Sequence, residues 1–263
     1  MTMEGAASFA KTSSDDYDRF MGRYAMRLAP LFADFAGIRA PMTVLDVGCG
    51  PGALTNELVA RLGADSVFAC DPAPPFIAAF TERFPGVTVK AGRMESLPFE
   101  SDRFDAALAQ LVLHFVERPD EGVAEMMRVT RSGGHIGASV WDLTGGMEMF
   151  RVFADAVNAI TGPDSSYTHP TRFGSEGEIR VLFEAANLTS IEERLLAVDS
   201  TYADFEEFWT TIRTSAGPLG EKVRQMADTD LTRLRDALFE RLDQPAGSIT
   251  LNAQARAVVA TVP

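Results

Sequence analysis

Cysteine and histidine are scarce in this sequence. Cys49 and Cys70 are the only cysteines among 263 residues, and neither belongs to a CxxC pair or to a cluster with one of the three histidines. Zinc sites and disulfide frameworks need such clusters, so the sequence predicts neither a metal site nor a disulfide. Two isolated cysteines in apolar segments are typical of reduced, buried side chains, and we therefore expect a cytoplasmic protein.

Long apolar runs and an excess of basic residues are also missing. No apolar stretch reaches the roughly 20 residues that cross a bilayer, and residues 1–14 lack a basic start followed by an apolar segment. We therefore expect neither a membrane span nor a secretory signal. Lys and Arg number 24 against 37 Asp and Glu, a formal net charge of −13. Because proteins bind phosphate backbones through positive charge, this charge disfavours a nucleic-acid partner.

Segments typical of strands and helices alternate from residue 43 to about residue 198. Short apolar runs bounded by Pro or Gly are each followed by a segment with apolar residues at helical spacing. This alternation predicts an α/β fold with a parallel sheet and helices on both faces. The expected strands lie at 43–46, 66–70, 87–90, 104–111, 135–141 and 191–198, and the expected helices at 54–62, 73–84, 119–129, 147–160 and 176–186.

The last third of the chain departs from this alternation of strands and helices. Apolar residues recur at helical spacing in 205–212 and again in 231–242, and Gly217-Pro218 between them predicts a break. Residues 249–259 alternate between apolar and polar, the period of a strand. A hairpin-like link to the sixth strand makes this last strand antiparallel. We expect residues 1–263 to form a single domain with a helical cap at 1–40 and lid insertions at 142–174 and 202–246, since long connections usually cover binding sites.

A glycine-rich segment, Asp46-Val-Gly48-Cys-Gly50-Pro-Gly52, joins the first expected strand to the first helix. Open α/β sheets bind ligands at this position, where glycine lets the main chain turn tightly under a nucleoside. The helix N-terminus offers N–H donors to a polar or anionic group. Asp71 ends the second strand, where a carboxylate can accept hydrogen bonds from both ribose hydroxyls. These features predict a cofactor that contains a nucleoside.

Two cofactor classes fit this loop. Gly48-x-Gly50-x-x-Ala53 satisfies a loose dinucleotide fingerprint, which is typical of an NAD(P)-dependent oxidoreductase. Asp46 argues against that class, because a carboxylate repels a pyrophosphate and attracts a sulfonium or an ammonium. The tighter G-x-G-x-G spacing that Gly52 completes also favours S-adenosylmethionine (SAM), as does a tail strand after a long insertion. A non-catalytic regulator that binds SAM stays open as a further alternative.

Several motifs resemble those of class I SAM-dependent methyltransferases, in particular the small-molecule branch. The first and second motifs are matched by Val44-Leu-Asp46-Val-Gly-Cys-Gly-Pro-Gly52 and by Asp71, and the later ones by Gly92-Arg-Met-Glu-Ser-Leu-Pro-Phe99, Phe104-Asp105, Gln110-Leu-Val-Leu-His-Phe115 and Arg131-Ser-Gly-Gly134. The resemblance implies a Rossmann-like sheet of seven strands, mostly parallel with an antiparallel last strand. It also implies an enzyme that moves a methyl group from SAM to O, N or C of a small molecule and releases S-adenosylhomocysteine (SAH).

The resemblance implies a role for each residue of the loop. The main chain around Gly48, Cys49 and Gly50 would hold the methionine part of SAM. Asp46 would face the amino end of that part, directly or through water. Asp71 would bind the ribose.

Further positions of the SAM site follow from the same resemblance. Pro72 would pack on the adenine, and the main-chain N–H of Met94 would meet an adenine nitrogen. Gln110 and Leu111 would line the pocket beside the sulfonium. Arg93 departs from the family pattern, which often has an aspartate that accepts from the adenine amino group, because arginine has no acceptor atom.

The N-terminal segment also resembles small-molecule members of the class. By this likeness, Tyr17 and Arg23 would reach over the site and bind the SAM carboxylate, for which arginine offers a forked pair of donors. The alternative is an amphipathic helix with a solvated Arg23. His114, four residues after Gln110, is the candidate catalytic base or orienting residue, although a packed loop histidine is the other interpretation.

The acceptor site is the least defined part of the sequence. Trp141, Met147, His169 and Trp209 lie in or next to the two lid insertions, where they could form an adaptable pocket for a partly apolar small molecule. Each of them could equally be a core or surface residue. The tetrad of nucleic-acid methyltransferases, Asn/Asp-Pro-Pro-Tyr/Phe, is absent after the fourth strand. The sequence leaves monomer and homodimer equally open.

Overall fold

A computed structural model describes residues 14–161, 172–215 and 217–263 of the chain. Its centre is a seven-stranded sheet in the order β3-β2-β1-β4-β5-β7-β6. The strands are β1 (Val44–Val47), β2 (Val67–Asp71), β3 (Thr88–Ala91), β4 (Phe104–Gln110), β5 (Thr130–Trp141), β6 (Thr189–Tyr202) and β7 (Ile249–Thr261). The α-helices are α1 (Ser14–Tyr17), α2 (Arg23–Phe35), α3 (Ala53–Leu62), α4 (Pro74–Arg83), α5 (Pro119–Val129), α6 (Glu148–Thr161), α7 (Glu178–Ala185), α8 (Phe205–Thr214), α9 (Gly217–Arg224) and α10 (Asp228–Arg241).

The strand pairing confirms the predicted fold class. Strands β1 to β5 pair in parallel, and β7 pairs antiparallel with both β5 and β6. β1 lies between β2 and β4, and all four of its residues are buried because helices cover both faces of the sheet. This order brings the carboxyl ends of β1, β2 and β4 side by side at one edge.

Separate apolar clusters cover the two faces of the sheet. On one face, Phe32 of α2 and Leu58 of α3 pack against the central strands. On the other face, Val123 of α5 and Phe183 of α7 are fully buried. The burial of such side chains is the main source of stability for an α/β sandwich.

The helices of the two insertions pack against one another and do not form two separate units. Phe153 of α6, Phe208 of α8 and Leu234 of α10 share one apolar cluster with Tyr24 of α2 and Ala253 of β7. This cluster lies beside the carboxyl end of β5. Within the residues that the structure describes, no helix is long and apolar enough to cross a membrane.

Three boundaries differ from the sequence-based expectation. β5 begins at Thr130 instead of residue 135, because Thr130 pairs with Phe104 before an irregular segment, and regular pairing resumes at His135. β6 continues to Tyr202, four residues beyond its expected end. Gly217-Pro218 does not simply break the helical region. Helix α9 begins there, since proline is tolerated in the first turn, where its missing N–H needs no partner.

The two leucines on successive turns of α10 provide a test of this packing. Leu234 is fully buried, whereas Leu231, one turn earlier on the same helix, is only partly buried. We expect Leu234→Ala to lower the free energy of unfolding by about 2–5 kcal/mol, because it leaves a cavity in the insertion cluster. Leu231→Ala, the matched control, should cost less than half as much. Urea denaturation followed by circular dichroism measures both, and equal losses would contradict this packing.

Candidate active site

A cavity opens at the sheet edge where β1, β2 and β4 end. Its floor is formed by the glycine loop after β1, with Asp46 below it. One side is formed by Asp71 and the residues that follow it, and the other by Gln110 and the residues that follow it. Tyr17 and Ala25 of the N-terminal helices cover the cavity. Ligands bind at this edge in open α/β sheets because loops from neighbouring strands diverge there.

The glycines of the loop have different physical roles. The main-chain N–H groups of Gly48 and Cys49 both donate to the Cys70 carbonyl, at 2.8 and 3.0 Å, which folds the loop over the end of β2. A Cβ at Gly48 would lie 2.6 Å from the Val112 side chain, and one at Gly52 only 2.2 Å from the Phe84 ring. These two glycines are therefore required by packing.

Gly50 keeps the cavity open. It has a φ of +51°, and a Cβ built on it would meet no atom within 4 Å. No neighbour therefore excludes a side chain at this position, although the positive φ would strain one. A side chain there would take space in the cavity, since Gly50 forms part of its wall.

Asp71 ties the loop to the end of β2. Its Oδ2 accepts a hydrogen bond from the Gly50 N–H at 2.9 Å, and its Oδ1 accepts one from the Ala73 N–H at 2.8 Å. Burial raises the pKa of this carboxyl, although the two main-chain hydrogen bonds oppose that rise. Because each carboxylate oxygen has a second acceptor site, Asp71 can still receive two hydroxyl donors from the cavity.

Asp46 is a second buried acid in the same cavity, with 1% of its surface exposed. Burial raises its pKa to about 7; the hydrogen bond from Thr55 opposes this rise, and the charge of Asp71 adds to it. The Thr55 hydroxyl, on the first turn of α3, donates to Oδ2 of Asp46 at 2.6 Å. Sequence reasoning missed Thr55. It could have been noticed as a polar residue at a buried position in the first turn of the helix, just after the glycine loop.

Gln110 forms the opposite wall at the end of β4. Its Nε2 donates to the Ala25 carbonyl at 3.1 Å, which fixes the orientation of the amide group. The buried Oε1 has no hydrogen-bond partner among the described residues. Leu111 follows with a φ of +62°, a conformation that is costly for a bulky side chain and is found mainly at functional sites.

The N-terminal helices place one of the two predicted residues in the cavity. Tyr17 lies in the wall, with its ring edge-on to Phe76 at 5.6 Å, and burial raises its pKa. Arg23 is not in the wall of this cavity, and its predicted contact with the SAM carboxylate stays a prediction. Its guanidinium lies over the Tyr202 ring at 3.9 Å and donates to Glu207 at 2.9 Å, so it joins α2 to α8.

Nine of the eleven residues predicted for the cofactor lie in the cavity wall: Tyr17, Asp46, Gly48, Cys49, Gly50, Asp71, Pro72, Gln110 and Leu111. Arg23 and Met94 do not. The Met94 side chain is buried against Gly122 of α5, because that glycine leaves space for it. The contact predicted for the Met94 main-chain N–H stays a prediction. Sequence reasoning missed the wall residues Phe76, Val112 and Phe115. Their position in the sequence could have indicated them, since each lies within five residues of Asp71 or Gln110.

The residues predicted for catalysis and for the acceptor are not brought to the cavity. His114 lies in the short turn after β4 with its ring 3.8 Å from that of Phe115, and Phe115 rather than His114 forms the wall. Trp141, Met147 and Trp209 are buried in the insertion cluster, because large apolar side chains gain most by packing together. They therefore form core and not an acceptor pocket. His169 lies outside the described residues.

No group of histidine, cysteine or acidic side chains within the described parts of the chain could hold a metal ion. The polar side chains in the described cavity wall include the carboxylates of Asp46 and Asp71, the Tyr17 hydroxyl and the Gln110 amide. Of these, only the carboxylates titrate near neutral pH or below it.

Comparisons with known proteins agree with this geometry. Residues 45–138 match the family model described as a methyltransferase domain. An uncharacterized methyltransferase of Mycobacterium tuberculosis is 37% identical over 103 residues, which are 39% of this chain and 41% of that protein. A malonyl-[acyl-carrier protein] O-methyltransferase of Dechloromonas aromatica is 27% identical over 240 residues, 90% of this chain and 86% of that protein.

A solved structure shares the fold. The phosphoethanolamine N-methyltransferase 2 of Haemonchus contortus, determined with phosphomonomethylethanolamine and SAH, has a TM-score of 0.54 at 15% identity. The alignment covers 95% of this chain and 59% of that one. The chain spans only about 41% of the first curated relatives that it matches. Residues 45–138 are therefore similar to a methyltransferase domain, and the described fold is that of solved methyltransferase structures.

Proposed function

We propose that this protein transfers a methyl group from SAM to a small-molecule acceptor. The observation that carries the proposal is the hydrogen bond between the Gly50 N–H and Asp71, which joins the open glycine loop to a buried carboxylate in one cavity. A loop of this kind can lie under an amino-acid tail while the carboxylate binds a sugar.

The residues present fit the parts of SAM. Asp71 can accept from both ribose hydroxyls, and the open space above Gly50 leaves room for the methionine part. The buried carboxylate of Asp46 suits an ammonium and would repel the pyrophosphate of a dinucleotide. When bound, SAM supplies a methyl group on a positively charged sulfur, which is the reactive centre.

The task of the protein is then to bind and to orient. Thr55 holds the Asp46 carboxylate toward the loop, and the main-chain N–H groups of Gly50 and Ala73 hold that of Asp71. Tyr17 and Phe76 contribute aromatic surface to the cavity wall, with their rings in edge-on contact. The acceptor atom needs to be held within about 3–3.5 Å of the methyl carbon and in line with the bond that breaks.

A small, partly apolar acceptor fits these walls better than a polyanion does. The net charge of −13 repels phosphate backbones, and Leu111, Val112 and Phe115 line the side of the cavity next to Gln110. The relative named as a demethylmenaquinone methyltransferase supports this class of acceptor.

Calorimetry with SAH and with NADH tests the proposal directly. We expect SAH to bind and NADH not to bind, because only the former lacks a pyrophosphate. Transfer of labelled methyl from SAM to a panel of phenols, amines and carboxylic acids then tests for turnover. Binding of NADH without binding of SAH would overturn the proposal, and SAH binding without any turnover would favour a regulator.

Asp71→Ala should weaken SAH binding by about 1.5–3 kcal/mol, or at least tenfold in Kd, because it removes charge-assisted hydrogen bonds. Asp65→Ala is the matched control, since Asp65 is exposed just before β2 and outside the cavity. Calorimetry on both variants gives the two Kd values. Equal affinities for wild type and Asp71→Ala would contradict the assigned role of Asp71.

Gly50→Ala should abolish or strongly weaken SAH binding while the protein stays folded. Its Cβ would enter the cavity, and the strain of a positive φ costs about 1–2 kcal/mol. Gly177→Ala is the matched control, because Gly177 also has a positive φ and open space at its Cβ but lies outside the cavity. Thermal unfolding should show similar losses of stability for both variants. Normal SAH affinity in Gly50→Ala would argue against a ligand above the loop.

The raised pKa of Asp46 predicts pH-dependent binding. With a pKa of about 7, Asp46 keeps its proton in the folded protein at pH values where the unfolded chain has lost it. The free energy of unfolding therefore falls as the pH rises from about 4 to 7. An ammonium group on the ligand stabilises the ionised form of Asp46. We therefore expect SAH affinity to rise about tenfold between pH 6 and pH 8. In Asp46→Asn, the same calorimetric titration should be flat, and a flat wild-type profile would contradict the assignment.

A further inference from the structure

Arg83, the last residue of α4, joins two segments that belong to the cavity wall. Its Nη1 donates to the Pro51 carbonyl of the glycine loop at 3.3 Å, and its Nη2 forms an ion pair with the Asp18 carboxylate at 2.6 Å. Pro51 lines the cavity, whereas Arg83 lies outside its described wall. A planar guanidinium can bond to two acceptors in different directions, which the compact ammonium of a lysine does less well.

The partner acid lies next to the residue that covers the cavity. Asp18 begins a π-helical turn that ends at Gly22, directly after the cavity residue Tyr17. The Asp18 carboxylate lies against Gly22, where a Cβ would be only 2.9 Å from Oδ1. Phe20 of the same turn is buried in the insertion cluster. The turn is therefore anchored on one side by apolar packing and on the other side by Arg83.

A second cavity, of about 320 Å³, lies between this turn and the glycine loop. Asp18, Pro51 and Arg83 all belong to its wall, and Pro51 also lines the first cavity. The loop therefore separates the two cavities. Because open space lies between the turn and the loop, side-chain packing does not fix their separation at this place. Arg83 spans it with polar bonds instead.

The Tyr17 side chain is the group that this link would position. Its ring packs edge-on against Phe76 with 5.6 Å between the ring centres. Burial is the main cause of the raised pKa of Tyr17, followed by the charge of Asp18. The charges of Asp71 and Asp46 raise this pKa further, so the hydroxyl lies close enough to feel both cavity acids. A shift of the turn would move this hydroxyl relative to the glycine loop.

We propose that Arg83 is a positioning residue, which bridges Asp18 and the Pro51 carbonyl and thereby holds Tyr17 at a fixed distance from the glycine loop. This inference rests on the proposed function, since the ligand that benefits is SAM or SAH. Arg83 acts only through the two segments that it joins. The ion pair is partly exposed, with 35% and 40% of the two side chains accessible, and such pairs add little to stability. Its main effect is therefore expected on ligand affinity.

Calorimetry on Arg83 variants tests this role. Arg83→Met keeps the apolar stem and removes both polar bonds. We expect it to raise the Kd of SAH by about three- to tenfold, the effect of losing a hydrogen bond, with an unchanged binding stoichiometry. Partial unfolding would instead lower the stoichiometry. Arg83→Lys keeps the charge opposite Asp18 without the fork, so its Kd should lie between those of Arg83→Met and wild type.

Arg61→Met is the matched control. Arg61 lies in the last turn of α3, forms ion pairs with Asp34 and Glu57, and donates to the Pro30 carbonyl at 3.1 Å. None of these residues belongs to the described wall of either cavity. The control removes the same kinds of bond and should leave the Kd of SAH as in wild type. A similar loss of affinity in Arg61→Met would indicate a general effect of destabilisation and would overturn the inference.

A cycle of single and double variants tests whether Arg83 acts through Tyr17. On a Tyr17→Ala background, Arg83→Met should change the Kd of SAH by less than about twofold, because the side chain that it positions is gone. An equal effect on both backgrounds would overturn the inference. If Tyr17→Ala binds SAH too weakly to measure, Asp18→Asn replaces it. Asp18→Asn, Arg83→Met and the combined variant should then share one Kd, and additive losses would overturn the inference.

The remaining outcomes separate this inference from the proposed function. An unchanged Kd in Arg83→Met overturns the inference and leaves the proposed function intact. If wild type does not bind SAH, the proposed function itself fails.

Discussion

The site depends on the close approach of two buried carboxylates that belong to neighbouring strands. Burial raises the pKa of both Asp46 and Asp71, and the charge of Asp71 adds to the rise at Asp46. The structure stabilises them with fixed donors: the Thr55 hydroxyl for Asp46, and the main-chain N–H groups of Gly50 and Ala73 for Asp71. The Gly50 N–H reaches Asp71 because the loop bends sharply between β1 and α3. A cationic ligand would complete the compensation, so the arrangement is incomplete as a purely structural one.

Much of this site could be predicted from the sequence because strand order determines it. Once Asp46 ends a central buried strand and Asp71 ends its neighbour, parallel pairing brings both acids to one edge. The glycines follow from the same constraint, since Gly52 must admit the Phe84 ring and Gly50 must leave the cavity open. The alternating pattern of residues 249–259 likewise predicted the strand β7, because one face of that strand is buried. The hairpin-like link to β6 predicted its antiparallel pairing.

Side chains on the added helices could not be predicted in this way. Arg23 follows Tyr17 by six residues, a spacing that does not return to the same face of an α-helix, and a π-helical turn at Asp18–Gly22 intervenes. The guanidinium therefore points toward Glu207 and not into the cavity. Residues such as Trp141 and Trp209 have the composition of a pocket, but composition does not distinguish a wall from a core. Only the packing of α6, α8 and α10 against one another decides the matter.

The burial of the insertion helices also bears on how the proposed methyl transfer would select an acceptor. If Trp141, Met147 and Trp209 formed an open pocket, selectivity would come from a large adaptable surface. They are buried together instead, so the described surface next to Gln110 is a narrow set of apolar groups: Leu111, Val112, Phe115 and Tyr17. For the proposed methyl transfer, such walls would select an acceptor by the fit of its apolar surface, with Asp46 and Asp71 as the charged groups of the same cavity.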